Sequence, residues 1–192
     1  MTTQCISMNK KAPLFTSKLE KKLWISTFLV LLAIYISIGI ARPLNSILKD
    51  SGLLVPLFIL SFIFILLALV LLGLKKRPDI SIIGVSIGVF AVYLFVLVRM
   101  EIPEERTHII EYSIFTSLLY LTLIERNRHL NTLTYPSILA ILFTILFGSI
   151  DECIQFFLPN RVFDLRDILF NSLAAVLAIC SLKSLSWARN RS

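Results

Sequence analysis

Charge is scarce in this chain, and so is anything that cysteine could build. Only 16% of the 192 residues are charged while 57% are apolar, and a soluble core of this size has no room for so much apolar surface. The three cysteines, Cys5, Cys153 and Cys180, are odd in number and widely spaced, so they outline neither a disulfide framework nor a thiolate metal site. No soluble domain, low-complexity tract or convincing internal repeat interrupts the chain. One small membrane domain remains.

What the sequence does contain is a series of long apolar runs. A spanning helix needs about 20 mostly apolar residues, because lipid offers no partner to a backbone N–H or C=O. Six stretches qualify: Leu23 to Ile40, Leu53 to Leu74, Ile80 to Val98, Pro103 to Ile124, Pro136 to Leu158 and Asp164 to Leu185. The predicted fold is therefore all-α, a polytopic integral membrane protein with six transmembrane helices and both termini cytoplasmic. The first run is read as a retained helix, since about 22 residues precede it and it exceeds the apolar core of a typical signal peptide.

A net charge of +7 would suit a nucleic-acid partner, but its distribution has another cause. With the amino terminus inside, the cytoplasmic side receives Lys10, Lys11, Lys18, Lys21 and Lys22, then Lys75, Lys76 and Arg77, then Arg126 and Arg128, then Lys183, Arg189 and Arg191. The opposite side receives only Arg42, Lys49, Arg99, Arg106, Arg161 and Arg166. That bias follows the positive-inside rule, so topology accounts for the basic residues and no nucleic-acid partner is expected. Trp24 and Trp187 fall at inner helix ends, where an indole favours the headgroup region. The expected location is the cytoplasmic membrane, and the expected partner is its lipid bilayer.

The organisation follows from these runs. Residues 1–22 form a cytoplasmic segment, 23–98 the first three helices as hydrophobic support, 99–186 the last three helices around an outward-facing polar pocket, and 187–192 a cytoplasmic tail. Leu44, Ile47 and Leu48 recur at helical spacing between Pro43 and Gly52, which predicts a short interfacial helix on the outer surface. Pro103 suits a first helical position, with Glu104 and Glu105 on the positive end of the dipole. Asp164 is a predicted N-cap, with Asp167 three residues on where a capping box has Glu or Gln.

The chemistry lies in the second half. Glu104, His108 and Glu111 share one helical face, as do Asp151 and Gln155, and Asp164, Asp167 and Asn171. At about 1.5 Å per residue, Glu111, Asp151 and Asn171 fall at one depth, roughly 10–12 Å below the outer ends of their helices. An ionised group facing lipid at mid-depth costs about 2.5–3.5 kcal/mol on insertion scales. Such groups must line a shared cavity or pair with cations.

The order His108-x-x-Glu111-Tyr112, then Asp151-Glu152-x-x-Gln155, then Pro159-Asn160-Arg161-x-Phe163-Asp164-x-x-Asp167-x-x-x-Asn171, resembles the VanZ-like membrane proteins over residues 99–180. The family pattern has glycines after the Asn, where this chain has Ser172, Leu173 and Ala174. The resemblance implies a polytopic cell-envelope protein, in a family whose named member lowers susceptibility to the glycopeptide teicoplanin.

Several readings of the polar residues compete. In an enzyme, Glu111, Asp151 or Glu152 is the general base and His108 its proton partner, with Arg161 holding an anionic headgroup through its planar donor fork. Tyr112, Gln155, Arg161, Asp164, Asp167 and Asn171 then bind the ligand, an envelope lipid, wall precursor or glycopeptide. A pure binder needs the same residues without catalytic geometry. A proton-coupled transporter would use the carboxylates and His108 as a relay. In a structural network, Arg99, Arg106, Arg161 and Arg166 neutralise the acids and staple the helices. No metal or other cofactor is predicted, since His108 with Glu111 and Asp151 has no diagnostic ligand spacing.

Overall fold

The computed structural model describes residues 14–53, 79–100, 103–158 and 164–191, with 56 and 60. Among them the regular structure is wholly helical: α1 (Lys18–Asp50), α2 (Ile80–Arg99), α3 (Pro103–Leu130), α4 (Pro136–Phe156) and α5 (Leu165–Arg189). Each of these 5 helices is long and apolar enough to cross a membrane. They correspond to the first, third, fourth, fifth and sixth predicted runs. All of the second run except Leu53, Pro56 and Leu60, the basic stretch Lys75 to Pro78, the Pro159–Asn160 turn, Arg161 and Cys5 lie outside the described residues.

The bundle buries hydroxyls and carboxylates among apolar side chains and turns an apolar surface outward. Helix α3 packs against α1, α4 and α5, whereas α2 packs against α5. Half of the α3 stretch is buried, at a mean hydropathy of 1.3, while α2 is 6% buried at 2.6. The least apolar helix thus takes the centre, where Thr116, Thr122, Ser113 and Tyr112 are shielded from lipid. Large exposed side chains such as Phe28, Phe95, Val98 and Leu169 cover the outside.

Hydroxyls tie the helices together at stated points. Thr27 of α1 meets Thr122 of α3 at 3.3 Å, and Thr116 of α3 meets Thr144 of α4 at 2.9 Å. Where α5 crosses α3, Ala174, Ala175 and Ala178 are buried, and Ser113 donates to the Ala174 carbonyl. Small side chains at these positions allow two helix backbones to approach closely. The glycine at the neighbouring α4–α5 crossing is on α4: a Cβ at Gly148 would stand 2.7 Å from Asn171 Nδ2.

Several boundaries differ from the predicted ones. The residues expected to form a separate interfacial helix continue α1 as far as Asp50, beyond which Gly52 takes a left-handed φ of 69°. Pro43 lacks one N–H donor, yet the helix runs through it. Helix α3 outlasts its apolar run by more than a turn and ends at Leu130, capped by Asn131 at φ 48° with its N–H on the Asn127 carbonyl. His129 therefore sits on the helix, 3.5 Å from Glu125. Apolarity marks the membrane crossing, whereas helix-forming polar residues carry the helix past it.

Candidate functional site

Three helix ends converge on His108. It stands in the second turn of α3, Asp151 and Glu152 in the last turns of α4, and Asp167 in the first turn of α5. The Asp164 carboxylate caps α5 by accepting from the Arg166 N–H at 2.8 Å, as the sequence predicts. Asp167 does not complete a capping box. Its carboxylate turns to the bundle and lies 3.7 Å from His108 Nε2.

On the other side of the imidazole, Nδ1 is 3.9 Å from Asp151 Oδ2. That oxygen accepts from the Tyr112 hydroxyl at 2.9 Å, and the Tyr112 ring stacks on His108 at 6.1 Å between centroids. Gln155 bridges the acids, its Nε2 reaching both Asp151 Oδ1 and Glu152 Oε1 at 3.2 Å. The second Glu152 oxygen accepts from the Asp164 N–H, joining α4 to the start of α5. Asp151, Glu152, Tyr112 and Gln155 are all buried, and His108 is 6% exposed with no hydrogen bond to Nδ1.

The predicted residues are thus gathered unequally. His108, Tyr112, Asp151, Glu152, Gln155 and Asp167 meet; Glu111 is half-buried, near enough to Asp151 to feel its charge, but joins none of these hydrogen bonds. Asn171 is fully buried against Gly148, one turn of α4 below the acids, and its amide has no hydrogen-bond partner. Arg161 lies outside the described residues.

Of the cations expected to neutralise the acids, Arg106 is engaged elsewhere and Arg161 lies outside the described residues. Arg106 donates through Nε and Nη2 to the Met100 carbonyl, closing the end of α2. No described lysine or arginine pairs with Asp151 or Glu152. One nitrogen of His108 and one carboxylate oxygen each from Glu152 and Asp167 lie within 4.8 Å of one another, a grouping able to hold a cation. Sequence spacing could not disclose this set, because its members sit on three different helices. A separate groove of about 580 Å³, lined by Val89, Leu177 and Trp187 among others, lies between α2 and α5.

A second polar centre, overlooked in the sequence, occupies the opposite end of α3. Glu20 is fully buried and accepts from Arg126 Nη1 at 2.9 Å, from Trp24 Nε1 and from Thr16. Ser17 accepts from the Glu20 N–H and donates to Glu125 at 2.8 Å. The signal was the Ser17-x-x-Glu20 spacing of a capping box, hidden within a stretch notable mainly for its lysines.

A multi-helix membrane protein with an acid and histidine cluster buried between three helix ends is the class these features define. The family model described as VanZ/LLP1 matches residues 10–186. The chain belongs to that family, and the match takes in the first half, where the motifs alone carried no resemblance. No curated protein and no solved structure gives a match.

Proposed function

We propose that this VanZ/LLP1 protein spans the cytoplasmic membrane six times with both termini in the cytosol. In this reading the His108 cluster faces outward, binds the polar headgroup of an envelope lipid or lipid-linked wall precursor, and performs acid–base chemistry on it. The charge bias along the sequence supports the orientation. The observation that carries the function is the burial of Asp151 and Glu152 with His108 as their ionisable neighbour and no described lysine or arginine paired with them. Burying carboxylates without a cation is costly, which favours a working role for them in the site. Both α3 and α5 begin on the side of the cluster, so the positive ends of their dipoles lie near these acids.

In this reading His108 and Asp151 form the proton-handling pair, Tyr112 and Gln155 hold Asp151 in place, and Glu152 orients the start of α5 through the Asp164 N–H. Handling of wall precursors would also alter glycopeptide susceptibility. A proton-coupled transporter has weaker support. Below the cluster the next hydroxyl pairs involve Thr116 and then Thr122, about 9 Å apart along α3, with Phe115 and Leu119 buried around them.

The test replaces Asp151 with Asn, Glu111 with Gln and Asn171 with Ala, one at a time, and assays headgroup binding and lipid turnover in purified protein. Lost turnover with retained binding at Asp151→Asn supports catalysis. Binding without turnover in the native chain reduces the site to a binder. Labelling that placed the 159–163 connection in the cytosol would overturn the orientation.

A further inference from the structure

We propose that His108, Glu152 and Asp167 bind a divalent first-row metal ion at the junction of α3, α4 and α5, with Asp151 orienting the histidine. The inference rests on the outward-facing reading of this cluster and adds the cofactor to it, with His108 then a metal ligand in place of a proton carrier. Three helices bring one imidazole nitrogen and two carboxylate oxygens within 4.8 Å of each other. A first-row ion holds such ligands at about 2.0–2.2 Å, so modest side-chain rotation closes the set around one centre.

Two further observations point to a ligand here. The His108 side chain is more than nine-tenths buried, and its Nδ1 has no hydrogen bond. Asp151 and Glu152 are 1% and 0% exposed, with no described lysine or arginine paired to either. A buried carboxylate without positive charge beside it is strongly disfavoured in its ionised form. A divalent ion supplies that charge: with a neutral imidazole it offsets two of the three carboxylates Asp151, Glu152 and Asp167.

The surroundings match what a metal-bound histidine requires. With Nε2 on the Asp167 side at 3.7 Å, the unpartnered Nδ1 faces Asp151 Oδ2 at 3.9 Å; the side-chain rotation that closes the ligand set would bring Nδ1 onto that carboxylate, the arrangement that fixes a ligating histidine's tautomer and raises its basicity. Asp151 is held by Tyr112 and Gln155, and Gln155 also holds Glu152. The mixed nitrogen and oxygen donors suit zinc or manganese better than the all-oxygen preference of magnesium or calcium. Three protein ligands leave coordination positions for water or a headgroup phosphate oxygen.

The experiment uses the full chain purified in detergent, stripped with a chelator and dialysed against ZnCl2, MnCl2 or MgCl2. Metal content and the thermal midpoint are the readouts. The native chain is expected to retain about one zinc or manganese ion and to gain thermal stability with rising metal concentration. His108→Ala, Glu152→Gln and Asp167→Asn lose the ion, while Asp151→Asn keeps the capacity with affinity lowered roughly 10–100-fold. His129→Ala, which removes the other histidine, leaves binding unchanged.

No metal retained by the native chain, or equal affinity in His108→Ala, overturns the proposal. Should the variants fail to fold, the native chain still decides: bound Mn2+ without nitrogen coupling from an imidazole in its spin-echo spectrum also overturns it. Headgroup binding by a chain with no affinity for metal refutes the ion and leaves the proposed function standing. Metal binding without headgroup binding does the reverse.

Discussion

Gly148 of α4 lies directly against the side chain of Asn171 of α5. A Cβ built on the glycine would stand 2.7 Å from Asn171 Nδ2, 3.0 Å from its Cβ and 3.2 Å from its Cγ. Rotating the amide relieves only the first of these contacts, so Gly148→Ala forces the two helices apart one turn beneath Asp151. Overpacking of this kind costs about 1–3 kcal/mol, more than the roughly 1 kcal/mol that alanine gains in helix propensity. Thermal unfolding in detergent is expected to show a lower midpoint for Gly148→Ala, with a larger loss for Gly148→Val. An unchanged midpoint would mean that α4 and α5 do not meet at this point.

That contact also marks the limit of what local pattern discloses. Periodicity put Asp151 and Gln155 on one face, and they are hydrogen-bonded; Asp164 looked like a cap and is one. Both features depend on residues at most one helical turn apart. The partnership of His108 with Asp167, or of Glu20 with Arg126 at a separation of 106 residues, depends on the register between helices. Apolar runs do not encode that register. Helix ends were misjudged for a related reason: hydropathy reports the bilayer, and α3 continues for polar turns beyond it.

The Glu20–Arg126 pair yields a prediction with an internal control. Glu20 is fully buried, while the Arg126 side chain is 29% exposed, so removing one partner is not equivalent to removing the other. Arg126→Ala leaves a buried carboxylate with Thr16 and Trp24 as donors and is expected to cost about 1.5–3 kcal/mol. Glu20→Gln leaves an arginine that water can reach, and costs less. The double variant should lie close to Glu20→Gln alone, since the charge that Arg126 compensated is gone. Additive losses in a double-mutant cycle of unfolding midpoints would show that the two side chains act independently.

At the start of α2, Asp79 accepts from the Ser81 N–H at 3.2 Å and from its hydroxyl at 2.8 Å. These hydrogen bonds hold the Asp79 carboxyl below the usual aspartate range. A group whose proton affinity falls on folding stabilises the native state above its unfolded pKa, and that contribution disappears as pH falls through the folded value. The first turn of α2 should therefore fray in acid. Amide exchange at Ser81 and Ile82, measured against pH and corrected for intrinsic rates, should accelerate below the carboxylate range in the native chain. In Asp79→Ala it should be fast throughout, and a native profile without that acid limb would remove Asp79 as the cap.

Tyr112 separates the architecture of the cluster from its chemistry. Its hydroxyl donates to Asp151 Oδ2 at 2.9 Å, while its ring stacks on His108 and meets Phe115 edge-on. Tyr112→Phe keeps the ring and withdraws the donor, leaving a buried oxygen short of a partner at a cost of about 1–3 kcal/mol. Below its own unfolding midpoint the variant should fold, keep the His108 stack and show weakened headgroup handling, because Asp151 loses one of the two groups that orient it. Tyr112→Leu removes the ring as well and should lower the midpoint further. A Tyr112→Phe protein as stable as the native chain would mean that Asp151 does not take its hydrogen bond from this hydroxyl, and the arrangement of the cluster around Asp151 would have to be redrawn.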